Sequence, residues 1–305
     1  MLASEAVETV RSMLSGSQID EITVLAQPYV AATDTTLSVQ YPKRSIAAGS
    51  TVTAGLNTFT VMAVTGDGTT FTVIPSMDGG PNVNVPQGTI VRIRPQFTTW
   101  SIFREIQSEM DSLSASFTGL FQPWVVEATT LDRSGGIYAL PDRTDGQYAF
   151  RLLKSEFLVA GVTQEWVSFT DAELVRQGNA IRVFSDPPQV AGFRFSLAVG
   201  FGQIVDLTTD LETLGVTNAI AGIPMLGAAA TMALGWEGRR VQPVFQGDSR
   251  RASEVQATSN SALARQFKMQ QQSAITEEQS RLIKEWGYRQ PQTSGRDQGV
   301  NRWLW

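Results

Sequence analysis

The apolar residues of this chain change period four times between Ser4 and Trp286, and each change demands a different secondary structure. Val7, Val10 and Leu14 recur at three- and four-residue spacing, as in a helix that buries one face; Ser4 is placed to cap it and Ser15-Gly16 to stop it. The period then becomes two. "EITVLA" (21–26), "TTLSV" (35–39), "TFTVMAV" (58–64), "TTFTVI" (69–74) and "GTIVRIRP" (88–95) are rich in β-branched residues, and "TGDG" supplies a turn between the third and fourth. After Pro95 the helical period returns in "TTWSIFREIQSEMDSL". There Ile102 or Phe103, Ile106, Met110 and Leu113 form one stripe behind an N-cap at Thr98 or Thr99.

A second stretch of period two follows. "WVVEAT", "GIYAL", "QYAFRLL", "EFLVAGV", "EWVSF", "AIRVF" and "FRFSLAV" are seven short strands separated by turns such as "DRSGG" and "SDPPQ", the pattern of a sandwich or Greek-key module. In the last of them Phe193, Phe195, Leu197 and Val199 alternate with Arg194, Ser196 and Ala198, so one face is apolar and the other wet. From Asp206 onward the pattern is helical once more. Ile220–Trp236 forms one helix and Ser261–Trp286 another, whose stripe of Leu263, Phe267, Ile275, Leu282 and Trp286 is interrupted by "QQQS" (270–273). After Tyr288 the chain is loaded with Pro, Gln, Gly and Ser and ends "NRWLW", a flexible arm with an aromatic tip.

The expected architecture is therefore α+β: a helical bundle core, two antiparallel β-modules projecting from it, and an extended C-terminal arm. Residues 1–17 and 97–121 would supply the first part of the core and 207–288 the second. The β-modules would be 18–96 and the sandwich-like 122–206, and the arm 289–305.

Composition narrows the chemistry. There is no cysteine and no histidine among the 305 residues, which removes disulfides, the thiolate nucleophile, the commonest general base and the usual ligands of zinc. The start, "MLASEAVETVRSML", has glutamates where a signal peptide needs a basic end and an apolar run. The most apolar stretch, Ile220–Leu234, is too short to cross a bilayer and contains Pro224, so a soluble chain is expected. The formal charge of −5 is unevenly placed: from Trp236 onward there are 11 Lys and Arg against 7 Asp and Glu, leaving 13 against 22 before it. Such a split fits assembly onto a charged partner and also ordinary surface composition.

Candidate sites are few. "GFG" (200–202) and "GDG" (66–68) are glycine turns without the dinucleotide fingerprint, Asp142 and Asp145 bracket a turn, and Asp206, Asp210 and Glu212 stand where acids favour a helix start. No catalytic, cofactor or metal residue is assigned. The loop "QGDSRRASEV" (246–255) sets Asp248, Arg250, Arg251 and Glu254 together, either as a solvated interhelical loop or as an inter-subunit contact suited to planar anions. Two of the seven tryptophans lie in the last three residues, and with Arg302 and Leu304 they form a compact apolar plug. The plug either folds back on its own subunit near Trp286 and Tyr288 or enters a pocket on another chain.

Three segments also carry a family likeness. "IRPQFTTWSIFREIQSEMDSL" (93–113), "WEGRRVQPVFQGDSRRASEV" (236–255) and a helix ending "RLIKEWGY" (281–288) resemble the head-to-tail adaptor (connector) proteins of tailed bacteriophages, above all the larger versions with β-insertions from phages of actinobacteria. The β-regions match only in kind. The resemblance implies a non-enzymatic virion protein made in the host cytoplasm and placed in the neck. It implies a homo-oligomeric ring, commonly of twelve copies, beneath the portal protein. Such a ring continues the DNA channel, passes double-stranded DNA without reading its sequence, and seats the next neck, stopper or tail protein. It further implies that Arg302, Trp303, Leu304 and Trp305 anchor the arm in the portal. A collar, tail or decoration protein of the virion is the alternative. A second alternative is a carbohydrate-binding β-protein using Trp124, Tyr138, Tyr148 and Trp166.

Overall fold

Six of the strands curl into one antiparallel sheet. In the computed structural model, which describes residues 1–15, 20–43, 45–76, 78–113, 119–128, 137–143, 147–159, 166–175, 180–184, 190–244 and 259–286, these are β1 (Glu21–Val24), β2 (Thr36–Ser38), β3 (Thr51–Ala54), β4 (Asn57–Val64), β5 (Thr70–Pro75) and β6 (Ile90–Ile93), in the spatial order β1-β6-β3-β4-β5-β2. Just past β1 and β2 the two outer strands meet. Leu25 bridges Val39, the Ala26 amide donates to the Ser38 carbonyl at 2.7 Å, and the Gln40 amide donates to the Val24 carbonyl at 2.9 Å. Alternation puts Leu25, Leu37, Val39, Val52, Phe59, Val61, Phe71, Val73, Val91 and Ile93 inside the curl, so the sheet encloses its own core. The strand β3, which period alone did not mark, is set by its turn. Ala54 pairs with Asn57 across two residues, and Gly55 takes the positive φ of 59° that such a hairpin needs.

The first compact unit, residues 1–112 and 203–273, holds this sheet together with α1 (Ala3–Ser15), α2 (Thr99–Leu113 up to residue 112), a single 3₁₀ turn (Leu211–Leu214), α3 (Gly222–Val244) and the first part of α4 (Ser259–Trp286). Helix α1 is capped by backbone rather than by Ser4. The Ala3 and Ser4 amides donate to the carbonyls of Thr209 and Leu207 at 2.9 and 3.0 Å, while the Glu5 carboxylate reaches back to the Leu2 amide at 3.0 Å. In α2 the cap is Thr98, whose hydroxyl accepts from the Ser101 amide at 3.1 Å and donates to Asp78 at 2.9 Å. Pro224 sits in the first turn of α3, where its missing N–H leaves no bond unmade.

The second unit, residues 113–202 and 274–305, contains seven strands: β7 (Gln122–Ala128), β8 (Ile137–Ala139), β9 (Ala149–Val159), β10 (Trp166–Phe169), β11 (Ala172–Val175), β12 (Ala180–Val183) and β13 (Val190–Val199). They make a four-stranded sheet, β10-β9-β13-β7, and a three-stranded one, β11-β12-β8, which share the core of Val126, Phe193, Phe195 and Leu197 with Leu140, Ile181 and Val183. The segments "QYAFRLL" and "EFLVAGV" are one continuous strand. Polar Lys154-Ser155 separates the two segments in the pattern, yet Ser155 and the Glu156 that follows it are buried. The Ser155 hydroxyl donates to the Phe169 carbonyl at 2.5 Å, and Glu156 pairs with Lys154 at 2.5 Å.

The expected α+β plan, a helical bundle core with two projecting β-modules, is overturned. Among the described residues thirteen strands form three sheets, one of them the curled six-stranded sheet, against four helices and a single 3₁₀ turn. Among the described helices only α1 and α3 run closely alongside one another, and α4 is divided between the two units. The physical reason is that a 3.6 period shows that a helix has a face to bury, not what covers it. The arm at 289–305 lies outside the described residues.

One buried guanidinium ties the first unit together. Arg11 of α1 is 5% exposed and donates to the Phe97 carbonyl at 2.9 Å and to the Thr99 hydroxyl at 3.0 Å, with Asp20 at 3.5 Å. Its Nε stands 3.5 Å from Glu8 without hydrogen-bond geometry, an ion pair only. Arg92 of β6 shares both acids, at 2.5 Å from Glu8 and 3.6 Å from Asp20. Burial, and after it the charge of Arg92, push the Arg11 pKa down, but an arginine stays protonated at any ordinary pH. Replacing Arg11 by Met is expected to destabilise the fold by about 3 kcal/mol, because Glu8 and Asp20 lose a partner and the Phe97 carbonyl its donor. Lys is expected not to restore the loss, since one ammonium cannot span all these partners. Denaturant unfolding of the two variants measures both.

At the β4–β5 turn, the hydroxyls of Thr65 and Thr69 donate to Asp67 at 2.5 and 2.7 Å and hold its pKa down to about 2. Because the folded value lies below the ordinary ~3.9, the turn's contribution is complete above that pH and is lost as pH falls through about 2. An NMR titration of the Asp67 carboxyl should show that low midpoint, rising to the ordinary range when Thr65 and Thr69 are both changed to Val.

Candidate functional site

The residues singled out as an inter-subunit contact (Asp248, Arg250, Arg251, Glu254) and as an anchor (Arg302, Trp303, Leu304, Trp305) lie outside the described residues. The acids near 206–212 are turn formers. Asp206 accepts from the Thr208 amide and hydroxyl and from the Thr209 hydroxyl at 2.8–3.0 Å, which hold its pKa below the usual carboxylate range. Asp210 accepts from the Glu212 amide at 3.1 Å and caps the 3₁₀ turn. Among the described residues no group of three or more acids is arranged to hold a metal ion, and no helix is long and apolar enough to cross a membrane.

Three helices converge on Gly227. A Cβ there would lie 2.1 Å from Glu109 Oε2 of α2 and 2.3 Å from Gln271 Nε2 of α4. Gln271 is 2% exposed. Its amide donates to Glu109 at 2.7 Å and to the Ile223 carbonyl at 3.3 Å, and its oxygen accepts from Lys268 at 2.7 Å. Every strong group of this amide is therefore placed, which makes its burial tolerable. The sequence pattern missed the site, because "QQQS" interrupts an apolar stripe. The face of α4 that is actually buried is Ala264, Phe267 and Gln271 in the first unit, then Glu278 and Leu282 in the second, again at spacings of three, four and seven. Glu278 is neutralised within its own helix by two bonds from Arg281, at 2.7 and 2.8 Å. No period of apolar residues can reveal a stripe that contains a glutamine and a glutamate.

In the second unit the wet face of the four-stranded sheet borders a cleft of about 660 Å³, with Lys284, Glu285 and Trp286 of α4 on its rim. The charges of the sheet face are matched in place: Arg194 is 2.8 Å from Glu127 and 4.0 Å from Glu156, and Lys154 is 2.5 Å from Glu156. Paired charges of this kind leave little field to attract an anion. The Arg194 guanidinium also lies over the Trp166 ring at 4.0 Å. Trp124 and Tyr138 pack against the core, with Arg143 5.2 Å above Trp124, so of the four candidate sugar-stacking rings only Tyr148 is freely exposed. A row of open aromatic faces, which a carbohydrate groove requires, does not form from them.

Neither a protein-family model nor a curated protein matches this sequence.

The junction at Gly227 makes a direct test. Gly227→Ala forces a side chain into a hydrogen-bonded amide and is expected to cost about 1–3 kcal/mol, as overpacking typically does. Adding Gln271→Ala should recover part of that, giving clear non-additivity in a double-mutant cycle of unfolding free energies.

Proposed function

We propose that this chain is a structural head-to-tail adaptor of a tailed double-stranded DNA phage. It assembles as a ring beneath the portal, continues the DNA channel and seats the next neck or tail protein. The observation that carries the proposal is the helix junction. The segments with the adaptor likeness fall on α2, on the second half of α3 and at the end of α4, and these same three helices meet at Glu109, Gly227 and Gln271. Segments that lie far apart between Ile93 and Tyr288 thus fall on helices joined at one place.

A bundle core is no part of the proposal, and the apolar face of α3 finds its cover within the chain. Ile223, Met225, Ala228, Ala229 and Ala230 are all buried within the single chain. A collar, tail or decoration protein remains the second proposal, favoured by two β-cores that are each complete within their own unit. Imaging of labelled protein in the virion separates the two by position.

The anchoring arm is the most exposed part of the adaptor proposal. Burying two tryptophans and a leucine contributes several kcal/mol at ~25 cal/mol per Å² before ordering costs, and repetition around a ring multiplies the effect. A chain ending at Gln290 is expected to unfold at the same temperature as the full chain yet fail to attach to portal-bearing heads. Normal attachment, or a loss of stability, would show that the tip serves its own subunit instead.

A further inference from the structure

The sequence holds three Asp-Gly steps, Asp67-Gly68, Asp78-Gly79 and Asp145-Gly146, of which the last lies outside the described residues. Such a step is the peptide link most open to isomerisation, because a glycine has no side chain to hinder its nitrogen. The nitrogen bonds to the preceding aspartate Cγ, and the carboxyl loses its hydroxyl as water, leaving a five-membered imide. Water then reopens the ring. Opening at the main-chain carbonyl gives isoaspartate, with the backbone routed through the side chain and one atom longer. The turns cannot escape this by changing residue. Gly68 and Gly79 hold φ of 70° and 74°, the left-handed region that L side chains disfavour.

Both described steps are restrained in the same way. The Gly68 amide donates to the Thr65 carbonyl at 2.9 Å, and the Gly79 amide to the Ser76 carbonyl at 3.2 Å, so each attacking nitrogen is tied three residues back. Each carboxylate is tied as well, by two threonine hydroxyls and by the amide two residues on. Asp67 accepts from the hydroxyls of Thr65 and Thr69 at 2.5 and 2.7 Å and from the Thr69 amide at 3.1 Å. Asp78 accepts from the hydroxyls of Thr58 and Thr98 at 2.6 and 2.9 Å and from the Gly80 amide at 3.1 Å. Asp67 is exposed, so burial does not shield it. Hydrogen bonds are what set it apart from the same step in a loose peptide. Its low pKa acts in the same direction, since only a protonated carboxyl carries a hydroxyl to lose.

We infer that Asp67 and Asp78 are isoaspartate sites that the fold holds closed, each by its own pair of threonines. The consequences of opening differ. At Asp67 the reaction lengthens an exposed turn between β4 and β5. At Asp78 it displaces the carboxylate that joins Thr58 of β4 to Thr98, the cap of α2. Both restraints lie within a single chain and act whatever that chain assembles with.

The test uses the full chain, kept folded in mildly acidic buffer below its melting temperature and sampled by peptide mapping that separates aspartate from isoaspartate. Proteolytic peptides of the same chain in the same buffer give the rate without the fold. In folded wild type both steps should isomerise at least about tenfold more slowly than in the peptides. Thr65→Val with Thr69→Val should bring Asp67 close to the peptide rate and leave Asp78 slow. Thr65→Ser with Thr69→Ser, which keeps both hydroxyls, should leave both steps slow. Thr58→Val should speed Asp78 alone. Wild type reacting at the peptide rate overturns the assignment, as does an unchanged Asp67 rate when both hydroxyls are removed or a raised one when both are kept. Acceleration of the two steps together in any variant would show that the whole unit opens, and that the threonine pairs are not what closes each site.

Discussion

Arg11 is the group on which the first unit depends. Its guanidinium takes a charge out of water, at a cost of several kcal/mol for an unpaired ion. The cost is offset only because two carboxylates, a carbonyl and a hydroxyl converge on it from four places along the chain. Those partners are Glu8 one turn earlier in α1, Asp20 just before β1, Phe97 in the segment that leads into α2, and Thr99 at the first position of α2. Arg92 on β6 shares the same acids, so the strand is tied to the helix by charge while the interior of the sheet is held by apolar packing. An apolar residue at position 11 would pack as well and specify far less, since contact with a methyl group fixes no direction.

The same division of labour recurs elsewhere. Apolar burial supplies the driving force in the curled sheet and in the two-sheet core, and buried polar groups set the angles at which elements meet. Gln271 fixes the meeting of α2, α3 and α4 through a glycine small enough to let its amide lie against the α3 backbone. Asp78 joins β4, a turn and the cap of α2 through three donors. Gln96 Nε2 and Trp100 Nε1 are exceptions, buried donors without a hydrogen-bond partner among the described residues.

Much of the local structure was legible. The four helices were visible from spacing, because a stripe at three and four residues has one solution. Most strands were visible too, from alternation and β-branching. What escaped notice was polar and buried: Ser155 inside β9, Gln271 and Glu278 inside the covered face of α4. A rule that equates polar with exposed reads each of these as a gap, although a satisfied hydrogen bond makes each burial possible. The strand β3 escaped for another reason, being short and flanked by Ala, Gly and Ser, with its place set by pairing to β4 and β6.

The sequence by itself determined where the chain is helical, where it is extended, and that cysteine and histidine chemistry are absent, because period and composition are properties of neighbours along the chain. Only the tertiary structure decided that the first β-stretch closes on its own core instead of leaning on helices, that the helices do not gather into a bundle, and that glutamine, glycine and glutamate from three helices meet at one point. Those outcomes depend on which surfaces find each other across many residues, and a one-dimensional pattern states only that each element has a surface to cover.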